Sequence, residues 1–388
     1  MVQYSQVQGV SLAVITSRLI HPMKIPRIEL FEWLQNNHER AEHVLAFSKM
    51  KGLSKREYDE LVHYDLGPEL DLGRGDPHGA NEFKQILMEI YGCDINNIVT
   101  TSGGTQANFL VFLSTLNKKD EFIIEQPGYQ PMWLTPEMMG ARKIPWHRRF
   151  ENGFRLDVDA LDDLITERTK LIVLTNPNNP TGVVSDRELE IKKVAEIAHA
   201  KGIYVLIDEI FLDGAADSQI SAFGLPNVII TSSMTKVYGL GGQRTAWIIA
   251  PPEIAAECQR AKSHTNGSSS YVGELMTAYA LRNARNHLVQ RFIKHSVSNF
   301  QILEQWVNAN QDIVEWVVPH GGIMCFPKYN AKLSSIELCH KLLDEHGVMV
   351  NPGEYFNMDG HIRLGFACTE EVLRSGLNAL GNGLKALH

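Results

Sequence analysis

The chain has 388 residues, 44% apolar and 21% charged, which is long enough for two domains and a large core. Its formal net charge of −8 argues against nucleic acid as the main partner, because phosphate backbones need basic surface. No apolar run is long enough to span a bilayer. The five scattered cysteines point away from disulfides and from a metal site, toward a reducing cytoplasm.

Residues 1 to about 22 read as a mobile tail, and Val10 to Ile15 is too short for a signal-peptide core. Pro26 breaks any helix before it, and the apolar spacing of Ile28 to Leu34 predicts a helix after it. Glu29 and Glu32, three apart, share a face of that helix, either as a solvated face or as a receptor for a cationic substrate tail. Residues 40 to 66 continue with a helical pattern, and Leu72 to Gly79 is dense in turn formers. A helix is predicted from Ala80 to Tyr91 and a strand over Ile98 to Thr100. Gly103, Gly104 and Thr105 then open another helix. Such a turn collects free backbone N–H groups and the positive helix end, a weak phosphate signal by itself.

The strand Glu121 to Glu125 delivers Tyr129, whose ring either covers a flat heteroaromatic ligand or packs into the core. The strand Leu171 to Thr175 runs into Asn176-Pro177-Asn178-Asn179-Pro180-Thr181-Gly182, an irregular loop that offers Asn179 to a ring hydroxyl. A helix follows over Asp186 to Lys201. The apolar strand Tyr204 to Phe211 carries Asp208, a carboxylate that needs a partner there: a protonated pyridine nitrogen, a core arginine or a helix end. After Val228 to Ile230 come Ser233, Lys236, three glycines and Arg244. A lysine past a strand end, a close-approach backbone and an arginine fork suit a Schiff base with a phosphorylated aldehyde, the chemistry of pyridoxal 5'-phosphate.

Alternation of strands and helices from about residue 70 to 250 predicts a mostly parallel sheet covered on both faces. A long helix is read from about Ala284 to Asn308. Short strands over Ile313 to Val318, Gly322 to Phe326, Val348 to Val350 and Ile362 to Phe366 then suggest an α+β unit. The predicted division is an N-terminal segment 1–65 belonging to a small domain, a large domain 66–289, and a C-terminal small domain 290–388. Arg363, a charge inside an apolar strand, either receives a substrate carboxylate or makes a structural salt bridge.

Asn-Pro-x-Asn-Pro-Thr-Gly at 176–182, Asp208-Glu209, and Ser233-x-x-Lys236 followed by Arg244 resemble, jointly and in order, the fold-type I enzymes of the class I/II aminotransferase family. The resemblance covers nearly the whole chain after residue 25. It implies an α/β aminotransferase-like fold and a homodimer with shared active sites. It implies that Lys236 forms the Schiff base and shuttles protons. Asp208 then partners the pyridinium, Asn179 bonds the ring hydroxyl, and Gly103, Gly104, Thr105, Ser233 and Arg244 form the phosphate cup. Tyr129 stacks on the ring, and Arg363 clamps the substrate α-carboxylate. Three positions depart from the pattern: Phe211 stands where many relatives have a tyrosine bonded to the ring hydroxyl, Arg74 stands near the place of an intersubunit tyrosine and is a candidate to replace it as a ligand of the cofactor phosphate, and Ala246 replaces a glycine.

Phe31-Glu32-Trp33-Leu34, His320 to Pro327, Pro352 to Phe356 and Ile362 to Phe366 further resemble capreomycidine synthase-like cyclases of hydroxyarginine, which also carry phenylalanine at the place of Phe211. That likeness implies dehydration and ring closure of a hydroxyarginine to a cyclic guanidine of capreomycidine or enduracididine type, in secondary metabolism. Glu29, Glu32 and Asp213 are candidate guanidinium receptors. The alternatives are an ordinary aminotransferase acting on a 2-oxo acid and a non-catalytic regulator. The acidic charge and the lack of room for a DNA-binding domain before residue 25 disfavour the regulator.

Overall fold

The computed structural model describes residues 25–64, 66–68, 70–73, 75–215 and 220–387. The tail expected over residues 1 to about 22, and Arg74, lie outside them. The helix expected after Pro26 is Glu29–Asn37, which buries Leu30 and Trp33. The helical pattern of residues 40 to 66 is realised only at Lys55–Val62, where Ser54 and Glu57 form a reciprocal capping box. Residues before it run extended instead. Strand β1 (His43–Val44) pairs in parallel with β12 (Val348–Met349), and the Leu45 carbonyl accepts from Gly365 at 2.7 Å. Pairing with distant strands overrides local helical preference in this segment.

The central sheet holds β2 (Ile98–Thr101), β3 (Glu121–Gln126), β4 (Arg142–His147), β5 (Thr169–Thr175), β6 (Tyr204–Asp208), β7 (Val228–Ser233) and β8 (Ala246–Ile249). Their spatial order is β2-β8-β7-β6-β5-β3-β4, and only β8 runs against its neighbours. Successive residues point to opposite faces, so one strand feeds two cores. Val205 and Ile207 pack with Val194 and Leu281, whereas Leu206 packs with Leu110 and Ala255 on the other face. Burial on both faces explains the unbroken apolar runs. The sequence names no strand at β4, an edge strand whose Arg142, Lys143 and Pro145 mask its character, nor at the four-residue β8.

Strand β6 stops at Asp208, three residues before the predicted end, because the chain turns at Glu209. The helix expected over Asp186 to Lys201 opens with a wide turn at Arg187–Ile191 and becomes regular at Lys192–Ala200. The long helix starts at Tyr271, capped by Ser270, and reaches Asn308, spanning 38 residues. Beyond it the strands are shorter than the sequence suggests. β10 (Met324–Cys325), β14 (Ile362–Gly365) and β13 (Asn351–Pro352) form an antiparallel trio, and β9 (Val314–Glu315) pairs with β11 (Lys328–Tyr329).

Register brings the chemistry together. Thr175 pairs with Asp208, Asp208 with Thr231, Ser233 with Ala246, and Ala246 with Thr101. The segments that follow β2, β3, β5, β6 and β7, and the residues just before β8, therefore share one edge. This is the carboxyl edge where open α/β sheets hold ligands.

Candidate active site

A cavity of about 200 Å³ opens at that edge, with Gly104, Thr105, Tyr129, Asn179, Asp208, Phe211, Lys236, Arg244 and Arg363 on its wall. Lys236 follows the end of β7. Its Nζ donates to Ser48 Oγ at 3.3 Å and lies 5.7 Å from the centroid of the Phe211 ring. Burial, then the charges of Arg363 and Lys49, push its pKa down to about 8 against the pull of Asp208.

Asp208 is buried at the end of β6, and burial raises its carboxyl to about 6. Its Oδ2 accepts from Asn108 Nδ2 at 3.0 Å and its Oδ1 from the Ile210 N–H at 3.1 Å. Thr231 fixes Asn108 in turn, donating to its Oδ1 at 2.7 Å. The core arginine weighed as a partner for Asp208 is not found among the described residues. Asn108 was missed as a site residue, although it lies one helical turn beyond Gly104 and so points to the same end.

Arg363 is also buried and has no carboxylate partner among the described residues. Its Nη1 donates to Asn179 Oδ1 at 3.1 Å and its Nη2 to the Ala46 carbonyl at 2.9 Å, while Nε has no partner. Burial lowers its pKa to about 10. A buried cation held by neutral groups, with a free N–H, is a receptor for an anion.

A second anion receptor lies across the cavity. Helix Gly104–Thr115 begins after Gly103, whose φ of +100° suits glycine, and no side chain caps its first N–H groups. Arg244 reaches the same place and donates to the Ser102 carbonyl at 3.3 Å. A Cβ on Gly103 would sit 2.2 Å from Arg244 Nη2, so the absent side chain makes room for the guanidinium. Gly104, Thr105 and Arg244 line the cavity. Ser233 lies behind it, fully buried, and its Oγ accepts from the Thr235 N–H at 3.1 Å.

Tyr129 is on the wall, its ring centroid 6.2 Å from that of Phe31, and burial pushes its phenol well above the usual range. Leu30, Phe31, Leu34, Phe47 and Met132 make the outer wall apolar, and Lys49 adds an ammonium to it. Glu29 and Glu32 share the Leu30 helix but do not line the cavity. Glu29 accepts from Gln130, and Glu32 pairs with Arg27. Asp213 lies in a separate recess, held by Arg285 at 2.9 Å and by the Tyr238 hydroxyl. The structure thus leaves the proposed guanidinium acids off the cavity wall.

A buried ion pair supports the loop that carries Asn179. Glu125 Oε2 accepts from Arg148 Nε at 2.7 Å, and its Oε1 accepts from the Thr175 N–H at 2.6 Å. Arg148 Nη2 donates to Ser185 Oγ at 2.8 Å, so the pair grips both ends of the loop.

The family model for aminotransferase class I and II matches residues 71–380. Capreomycidine synthase from Streptomyces vinaceus is 28% identical over 380 residues, covering 94% of this chain and 95% of its own. Aspartate aminotransferase from Pyrococcus horikoshii is 27% identical over 352 residues, covering 86% and 90%. The crystal structure of a PLP-dependent aminotransferase from Streptococcus suis matches with a TM-score of 0.87 and 30% identity, covering 94% of this chain and 99% of that one.

Proposed function

The chain belongs to the aminotransferase class I and II family, and from that premise we propose that it dehydrates and cyclises a hydroxyarginine to a cyclic guanidine amino acid. Its cofactor is pyridoxal 5'-phosphate. The residues of the cavity fit that group: a helix N-terminus and Arg244 suit a phosphate, buried Asp208 suits a ring nitrogen, and Lys236 suits its aldehyde. When bound, the cofactor supplies a sink for the electron pair left at Cα once a proton is removed.

The chain's own groups divide the remaining work in this reading. Thr105, Arg244 and the N–H groups of helix Gly104–Thr115 hold the phosphate, with Gly103 and Ser233 shaping the cup. Arg363 and Asn179 hold the substrate α-carboxylate and orient it, and Tyr129 covers the ring. Asp208, kept in place by Asn108, holds a negative charge against the ring nitrogen. Lys236 removes the α-proton and later returns it, beside the Ser48 hydroxyl. Phe211 offers a ring face and no donor. The enzyme is read as a homodimer.

The observation that carries cyclisation is the likeness to capreomycidine synthase over 94% of this chain. Lys49 favours a second reading, transamination of a dicarboxylic amino acid, because an ammonium on the wall can receive a distal carboxylate. Mass spectrometry of the loaded enzyme with β- and γ-hydroxyarginine, with and without a 2-oxo acid, separates the two. A product lighter by one water, formed without acceptor and keeping its α-nitrogen, is expected. A keto acid with aminated acceptor and no dehydrated product would sink cyclisation.

Only the neutral amine of Lys236 attacks an aldehyde. Since Arg363, Lys49 and burial hold its pKa near 8, cofactor capture by the apo-protein is expected to rise about tenfold per pH unit below pH 8 and level off above it. Stopped-flow absorbance against pH checks this. A rate still climbing at pH 10 would show an ordinary lysine.

A further inference from the structure

We propose that Lys49 donates the proton to the departing substrate hydroxyl, a role that rests on the cyclisation reading. The ionisable groups lining the cavity are Lys49, Tyr129, Asp208, Lys236, Arg244 and Arg363. Arg363 is itself one anion receptor and Arg244 belongs to the other, Asp208 is bonded by Asn108 and Ile210, and Lys236 takes the α-proton in the proposed reaction. Tyr129 is half-buried, and desolvation makes its phenol hold its proton more tightly than an ordinary tyrosine. Lys49 is the lining acid left without another task.

Its placement suits the role. The Lys49 ammonium stands 4.9 Å from the centroid of Phe47, itself on the cavity wall, and no carboxylate among the described residues forms an ion pair with it. Its neighbour Ser48 touches Lys236, and Lys49, which lines the same cavity, is near enough for its charge to act on the Lys236 amine. Lys49 is also exposed, so solvent can restore its proton. Hydroxide is a poor leaving group, and a hydroxyl beside an ammonium leaves as water. For a β-hydroxyl, the pair freed at Cα becomes the Cα–Cβ double bond as the C–O bond breaks. The pair of that bond goes to oxygen, one proton passes from Nζ, and water departs. The guanidine nitrogen then adds to Cβ and gives up its proton to the neutral Lys49 amine or to solvent, while the double-bond pair returns to Cα and takes the proton held by Lys236.

The test uses loaded Lys49→Gln and Lys49→Arg enzymes. Four quantities are read: the visible cofactor absorbance, spectral titration with plain arginine, exchange of the arginine α-hydrogen in deuterated water, and the rate of dehydrated product from hydroxyarginine. Lys49→Gln is expected to slow dehydration by about 10²- to 10⁴-fold, leaving the absorbance and the arginine titration within about twofold and changing α-exchange by less than about tenfold, and Lys49→Arg is expected to recover part of the rate. Unchanged dehydration in Lys49→Gln, or an equal fall in dehydration and α-exchange, would overturn the assignment while leaving the cyclase reading intact. A wild-type enzyme that forms keto acid and no dehydrated product would overturn both.

Discussion

Replacing Lys236 with alanine is expected to lower turnover by at least about 10⁴-fold and to remove the visible absorbance of lysine-bound cofactor. One amine performs three tasks in the proposed reaction: it anchors the cofactor, takes the α-proton and returns it. General acid–base catalysis alone contributes about 10²- to 10⁴-fold, and loss of the covalent anchor adds to that. The other lysine lining the cavity among the described residues is Lys49, which is exposed and lacks the hydrogen bond that holds Lys236 to Ser48. A variant that kept the visible band would place the anchor elsewhere.

The same substitution is not expected to unfold the apo-protein. The Lys236 pKa lies near 8 in the fold and about 10.4 in an unfolded chain, so the folded state disfavours its proton. The sign follows from proton counts. Below pH 8 both states carry the proton and the folded state bears the full penalty. Between pH 8 and about 10.4 the unfolded state binds more protons, so wild-type stability rises with pH. Apo Lys236→Ala should therefore match or exceed the wild-type melting temperature at pH 7, and that margin should shrink by pH 10.

The sequence showed this lysine because its signals are local. Lys236, the 176–182 loop and the Gly103-Gly104 turn each follow an apolar strand within a few residues, and periodicity finds such strands. The sheet register then makes the edge they share. The partners that settle each side chain come from far along the chain. Asn108 reaches Asp208 across 100 residues, and Ser48 reaches Lys236 across 188. No window of sequence holds either pair.

Local reasoning also misjudged residues 43–48, whose pattern suits a helix. Strand pairing from β12 and the Gly365 backbone claims them instead, and that extended path delivers Phe47, Ser48 and Lys49 to the cavity. The expectation for Glu29, Glu32 and Asp213 rests on charge, and for the first two also on a shared helix face. Glu32 and Asp213 already hold arginines, and Gln130 holds Glu29. An isolated carboxylate in a sequence does not disclose the partner that will neutralise it. Arg363 shows the converse: a cation whose strand offers no counter-charge keeps its capacity for a ligand.

Removing Arg148 as Arg148→Met is expected to destabilise the fold by about 3–5 kcal/mol, the usual effect of leaving one member of a buried pair uncompensated. Glu125 is fully buried, and its carboxyl is held above the usual range by that burial even with Arg148 in contact. Without the guanidinium, the charge on Glu125 has the Thr175 N–H and the neighbouring Asn178 side chain to rely on. The Phe154 carbonyl and Ser185 Oγ lose their donors at the same time. Because the pair grips Thr175 and Ser185, the damage should reach Asn179 and its bond to Arg363, raising the substrate KM beyond what stability loss explains. The double variant Glu125→Leu with Arg148→Met removes both charges together, so it should be more stable than Arg148→Met alone. Chemical denaturation of the wild type and these two variants measures the difference. A loss below about 1 kcal/mol in Arg148→Met, or a double variant weaker than the single, would mean that the pair does not hold the loop through its charge.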